Sequence, residues 1–322
     1  MVWCFMELLG TPLWAWGAFG AIVVALLAFD LGVLHKEDRE IGVRESLWLS
    51  AGYIAMACLF GAGVWWAFGA EHGIDFYTGF FVEKSLSLDN VFVISLIFGA
   101  FAIPRIYQHR VLFWGIMGVI VMRGTMIGVG AALIAKFHWI LYFFGLFLVV
   151  TGIRMLFAKE QHDKKIEDHP LVKFLRRHIR ISDRLHGHNF TVKLPDAKTG
   201  RVVWHATPLL LALILIEGAD VVFAVDSVPA VFAITQDPFI VYTSNIFAIL
   251  GLRALYFALA AIIHRFAYLK YALAAVLIFI GAKIFYAEFV EKVPALLSLG
   301  VTFGLLAVGV IVSMVKTRKE AA

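Results

Sequence analysis

Runs of about twenty apolar residues recur along the whole chain, the length an α-helix needs to cross a hydrocarbon core. In lipid every backbone donor and acceptor must be satisfied within the structure, which leaves only helices and closed barrels as spanning elements. A barrel would show alternating segments of about ten residues, and the sequence has none. Of the 322 residues, 61% are hydrophobic and 16% charged, whereas soluble domains run to about half apolar and a quarter charged. The sequence therefore predicts an all-α polytopic membrane protein, read as a single transmembrane domain over 1–322 whose partner is the lipid bilayer.

Hydropathy places about nine transmembrane helices, at 12–34, 46–68, 78–102, 110–135, 138–157, 207–233, 239–263, 268–287 and 294–315. Their connections alternate in charge. Lys36, Arg39 and Arg44 follow the first span, while the next link holds Glu71, His72 and Asp75 without Lys or Arg. Arg105 and Arg110 follow the third, and a basic stretch at 158–206 follows the fifth. The link with Asp237 carries no Lys or Arg; Arg265 and Lys270, and then Lys316, Arg318 and Lys319, mark the basic side again. The positive-inside rule puts the N-terminus outside and the C-terminus in the cytoplasm of a bacterial inner membrane. The net charge of +5 is thus an orientation signal, and no nucleic-acid partner is expected. Cys4 and Cys58 read as lone thiols with no disulfide framework. The first apolar run lacks a small-residue cleavage site and reads as the first span rather than a signal peptide. His186 and His188 read as part of a solvated basic loop.

The chain also repeats itself. Asp89 to Ile94 matches Asp220 to Val225, Arg123-Gly124 meets Arg253-Ala254, and Gly152-Ile153-Arg154 meets Gly281-Ala282-Lys283. Each copy holds three spans, so successive copies enter the membrane from opposite sides. This is an inverted three-plus-three helix repeat, with a first copy at about 78–157, a basic cytosolic loop at 158–206 and a second copy at about 207–289. Secondary transporters built this way hold their substrates near the midplane, between the copies.

The chemistry sits in two of these spans. One carries Glu83, Asp89 and Asn90, the other Glu217, Asp220, Asp226 and Ser227. A charge at the bilayer centre costs about 2.5–3.5 kcal/mol even on the lenient insertion scale, so these carboxylates must be compensated. One route is pairing with Lys84, Arg123, Arg253 and Lys283. The other is a cation site, because carboxylate, amide and hydroxyl oxygens suit hard divalent ions. Pairing alone leaves acids in excess, and the cation reading is favoured. Pro229, which clashes with the carbonyl of Val225, predicts a broken helix that re-aims Asp226. Asp30 is expected at the headgroup level, with a minor role.

These motifs resemble a known family. Glu-Lys-Ser-Leu-Ser-Leu-Asp-Asn-Val-Phe-Val at 83–93, Glu-Gly-Ala-Asp at 217–220 and Asp-Ser-Val-Pro-Ala at 226–230 are similar to those of TerC/Alx membrane proteins of the LysE superfamily. The resemblance implies a transporter that exports Mn²⁺ as substrate, with no resident cofactor. It implies Glu83, Asp89, Glu217, Asp220 and Asp226 as ligands, to which the oxygen-donor reading adds Asn90 and Ser227. Export by proton antiport is the expected mode. The alternative is a membrane partner that supplies metal to the secretion translocon. An enzyme is not expected: the two aspartates lack the Gly-x-Gly-Asp context of an intramembrane aspartyl protease.

Overall fold

The computed structural model describes residues 7–8, 10–34, 42–137, 139–157, 179–182, 184–195, 202–259, 269–290 and 293–320. Asp89 and Asp226 lie in helices, but their side chains fall outside the described set, as do Cys4, Lys36, Arg39 and Arg265.

The predicted spans are helices: α1 (Leu13–Leu34), α2 (Val43–Phe68), α3 (Ala70–Ala100), α4 (Arg105–Lys136), α5 (Ile140–Phe157), α6 (Pro208–Phe232), α7 (Pro238–Leu250), α8 (Leu252–Leu259), α9 (Leu269–Phe289) and α10 (Ala295–Glu320). Among the described residues, eight helical segments are long and apolar enough to cross a membrane, with α7 and α8 together forming one of them. The expected span at 78–102 falls in α3, which at 31 residues is long enough but carries Glu83, Lys84 and Asp89 along its middle.

Burial is inside-out relative to a water-soluble protein. Trp66 is 91% exposed and Phe157 80%, while Glu83, Arg123, Asp220 and Asn245 are all buried. An apolar exterior around a polar interior is what lipid as solvent demands.

Local chemistry sets the helix ends. Gly69, at φ +96°, is the single residue between α2 and α3, a conformation that glycine adopts without steric cost. Pro238 occupies the first turn of α7, and the Asp237 carboxylate caps that helix by accepting from the Phe239 backbone N–H at 2.8 Å.

Helix α3 lies at the centre, packed against α2, α6, α7 and α10. Helices α5 and α9, matched in the repeat, pack closely along glycines. A Cβ at Gly281 would lie 2.6 Å from the Gly145 carbonyl oxygen, and one at Gly152 would lie 2.7 Å from that of Ala274. Such small-residue seams let backbones approach where lipid supplies no hydrophobic drive.

One expectation is corrected here. Helix α6 runs unbroken through Pro229, with the Ala233 N–H donating to the Pro229 carbonyl at 3.0 Å. The proline removes one bond, to Val225, and the flanking turns carry the helix past it. The break falls instead at Gly251, between α7 and α8. Within the polar stretch at 158–206, β3 (Thr191–Pro195) and β4 (Val202–Ala206) form an antiparallel hairpin pairing Lys193 with Trp204. A short pair, β1 (Glu7–Leu8) and β2 (Thr11–Pro12), precedes α1.

Among the described residues, two pairs of connections alike in charge are in contact. Arg110 at the start of α4 stacks on Phe190, 5.4 Å from its ring centre, and Tyr107 meets His188 edge-on. The α2–α3 junction and the α6–α7 link meet through His72 and Asp237 at 3.5 Å.

Candidate functional site

Four helices deliver one polar cluster. From α3 come Glu83 and Asn90, from α4 Arg123, from α6 Asp220 and Ser227, and from α7 Asn245. Arg123 is the hub, only 1% exposed. Its Nε donates to Asp220 Oδ2 at 3.1 Å and its Nη2 to Asp220 Oδ1 at 3.0 Å, a two-point clamp. Its Nη1 donates to Glu83 Oε1, to Ser227 Oγ at 2.8 Å and to Asn245 Oδ1 at 3.2 Å. Asn245 returns its amide to Glu83 Oε2 at 3.1 Å, and Asn90 Nδ2 donates to Asp220 Oδ1 at 3.1 Å. On α3, Ser87 Oγ donates to the Glu83 carbonyl at 2.8 Å and so spends its proton on its own helix.

Glu83, Asp220 and Arg123 together leave one negative charge in excess. Glu83 and Arg123 border a cavity of about 190 Å³ lined also by Asn90 and Ser227, and on its apolar side by Leu86, Met155, Phe223 and Leu277. Among the described residues Asn90 Oδ1 is a buried acceptor with no hydrogen bond. An unmet acceptor in such surroundings costs about 1–3 kcal/mol.

Of the seven residues singled out from sequence, the cluster gathers Glu83, Asn90, Asp220 and Ser227. Glu217 lies one turn along α6 from Asp220, half-buried, its carboxylate against Gly118 of α4, where a Cβ would collide with it. Asp89 and Asp226 occupy the positions next to Asn90 and Ser227. Among the described residues no three acidic, His or Cys side chains converge as a ready metal cage, and the two described acids of the cluster are held by arginine. A cation in this cavity would meet the oxygens of Glu83, Asn90 and Ser227 on its lining, and would reach those of Asp220 only with Arg123 moved aside.

Sequence reasoning passed over Asn245, a lone amide in an apolar helix that bridges Glu83 and Arg123. It also gave Asp30 only a minor role. That carboxylate is 5% exposed, accepts from Arg253 Nη2, and receives the Tyr53 hydroxyl at 3.0 Å. A buried arginine needs an acid, and the match of Arg253 to Arg123 was the available signal.

The comparisons with known proteins agree with these motifs. The TerC integral membrane protein family model matches residues 68–321. An uncharacterized membrane protein of Myxococcus xanthus is 48% identical over 303 residues, 94% of this chain and 92% of its own length. One from Rickettsia felis is 47% identical, over 94% of this chain and 98% of its own. A protein of Escherichia coli K12 named as a candidate membrane-bound redox modulator, Alx, is 44% identical over 96% of each chain. No solved structure matches. The chain belongs to the TerC family of integral membrane proteins.

Proposed function

We propose that this protein transports divalent metal cations, Mn²⁺ foremost, and exports them from the cytoplasm across the bacterial inner membrane. The observation that carries the reading is the cavity lined by Glu83, Asn90 and Ser227 beside the buried Arg123 cluster. Carboxylate, amide and hydroxyl oxygens form a hard-ligand set. Its site is assembled from α3 and α4 on one side and α6 and α7 on the other, the two halves of the sequence repeat, where relative movement would alternate access. Carboxylates that release a metal can take up protons, so proton antiport is the proposed energy source. Export rather than import follows the family resemblance, and the alternating charge of the links supports a cytoplasmic C-terminus.

Purified protein in proteoliposomes should show saturable Mn²⁺ flux that an opposing pH gradient accelerates. Mn²⁺ binding without flux would favour the rival reading, a membrane partner that hands metal to the secretion machinery. The name of the Alx relatives raises a redox role. A thiol route among the described residues would run through the free thiol of Cys58, so a Cys58→Ser protein that transports normally separates the two.

A further inference from the structure

Arg123 stands where a transported cation would have to stand. Both Asp220 oxygens receive its guanidinium, and Glu83 is shared between Arg123 and Asn245. Asn90 lines the cavity beside them, and its buried Oδ1 has no hydrogen bond among the described residues. Its orientation is fixed, because turning the amide over would set oxygen against oxygen at Asp220 Oδ1, where Nδ2 now donates at 3.1 Å. The cluster thus has the place of a cation filled from within the chain.

Resting on the transport reading, we infer that Arg123 is a tethered counter-ion that a divalent cation displaces from Glu83 and Asp220 on entering the cavity beside them. The arrangement serves two ends. Without substrate, the guanidinium spares the empty carrier two bare carboxylates in a low-dielectric interior, whose desolvation would oppose any return movement. It also sets a threshold for entry. A monovalent ion brings no more charge than the guanidinium and lacks its directed N–H donors, so it cannot compete, whereas a compact doubly charged ion can.

The test is Mn²⁺ binding to the full-length protein in detergent, followed by electron paramagnetic resonance, beside Mn²⁺ flux in liposomes. Arg123→Gln removes the competitor and should tighten Mn²⁺ binding by about tenfold or more, the equivalent of one charge-assisted hydrogen bond, while flux falls. Arg123→Lys keeps a charge but loses the two-point clamp. It should bind Mn²⁺ more tightly than wild type but less tightly than Arg123→Gln, and it serves as the readout should the Gln variant not fold. In Arg123→Lys, K⁺ should begin to compete with Mn²⁺, which it does not do in wild type. Folded variants that bind Mn²⁺ no more tightly than wild type, in a wild type that transports, overturn the counter-ion role and leave the transport reading standing. Absence of binding and flux in wild type and variants alike overturns both.

Discussion

Arg123 holds Asp220 through two hydrogen bonds, Nε to Oδ2 at 3.1 Å and Nη2 to Oδ1 at 3.0 Å, and the same guanidinium reaches across to Glu83. The two acid-bearing helices, α3 and α6, are thereby joined through a residue of a third. A buried pair of this kind contributes little net stability when intact, yet losing one partner is costly because the other stays buried and charged.

The second buried pair gives the cleanest test of that asymmetry. Asp30→Asn or Arg253→Met alone should destabilise the protein by about 3–5 kcal/mol, since each leaves an uncompensated charge. The double variant should recover a large part of the loss. Thermal unfolding in detergent of the two single variants and the double variant measures the coupling; simple additivity would show that the two groups do not act as a pair.

Gly118→Ala should impair transport while leaving Arg123 paired. The new Cβ would intrude on the Glu217 carboxylate and push it off its seat against α4. Flux should fall severalfold, with a melting temperature near that of wild type, since Glu217 is half-buried and can turn outward.

Gly281→Ala addresses the α5–α9 seam. Its Cβ would meet the backbone oxygen of Gly145, which cannot swing aside as a side chain would. A loss of about 1–3 kcal/mol is expected from overpacking, read as a lower melting temperature.

Pro229→Ala should be well tolerated. Helix α6 already runs through this position, and alanine restores the N–H that the Val225 carbonyl lacks. Flux and stability at or above wild-type level are expected; abolished flux would mean that the proline opens the helix during the transport cycle.

What the sequence made legible and what it hid follow from the range of the interactions involved. Spans such as 12–34 and 207–233 fall within a residue or so of α1 and α6, because membrane insertion depends on summed hydropathy over one segment. The acids of α3 and α6 stood out for the same reason, as charges against an apolar background. The kink was misplaced because proline is a local signal whose effect depends on what packs around it, while Gly251 interrupts an otherwise continuous apolar run without altering its hydropathy. The hairpin of Thr191–Pro195 with Val202–Ala206 hid in a stretch read for its charge rather than its alternation. Asn245 and Asp30 were underrated because their roles are set by partners distant in sequence, Glu83 and Arg253, which no periodicity announces.

The central claim is that the oxygens around Arg123 hold a transported divalent cation, and Asp220 is the acid most tightly bound to that site. The direct measurement is Mn²⁺ flux into proteoliposomes by wild type and by Asp220→Asn, with folding checked by size-exclusion chromatography and thermal melting. The account predicts saturable wild-type flux and its loss in a folded Asp220→Asn protein. Equal flux in the two, or none in a folded wild type, would contradict it.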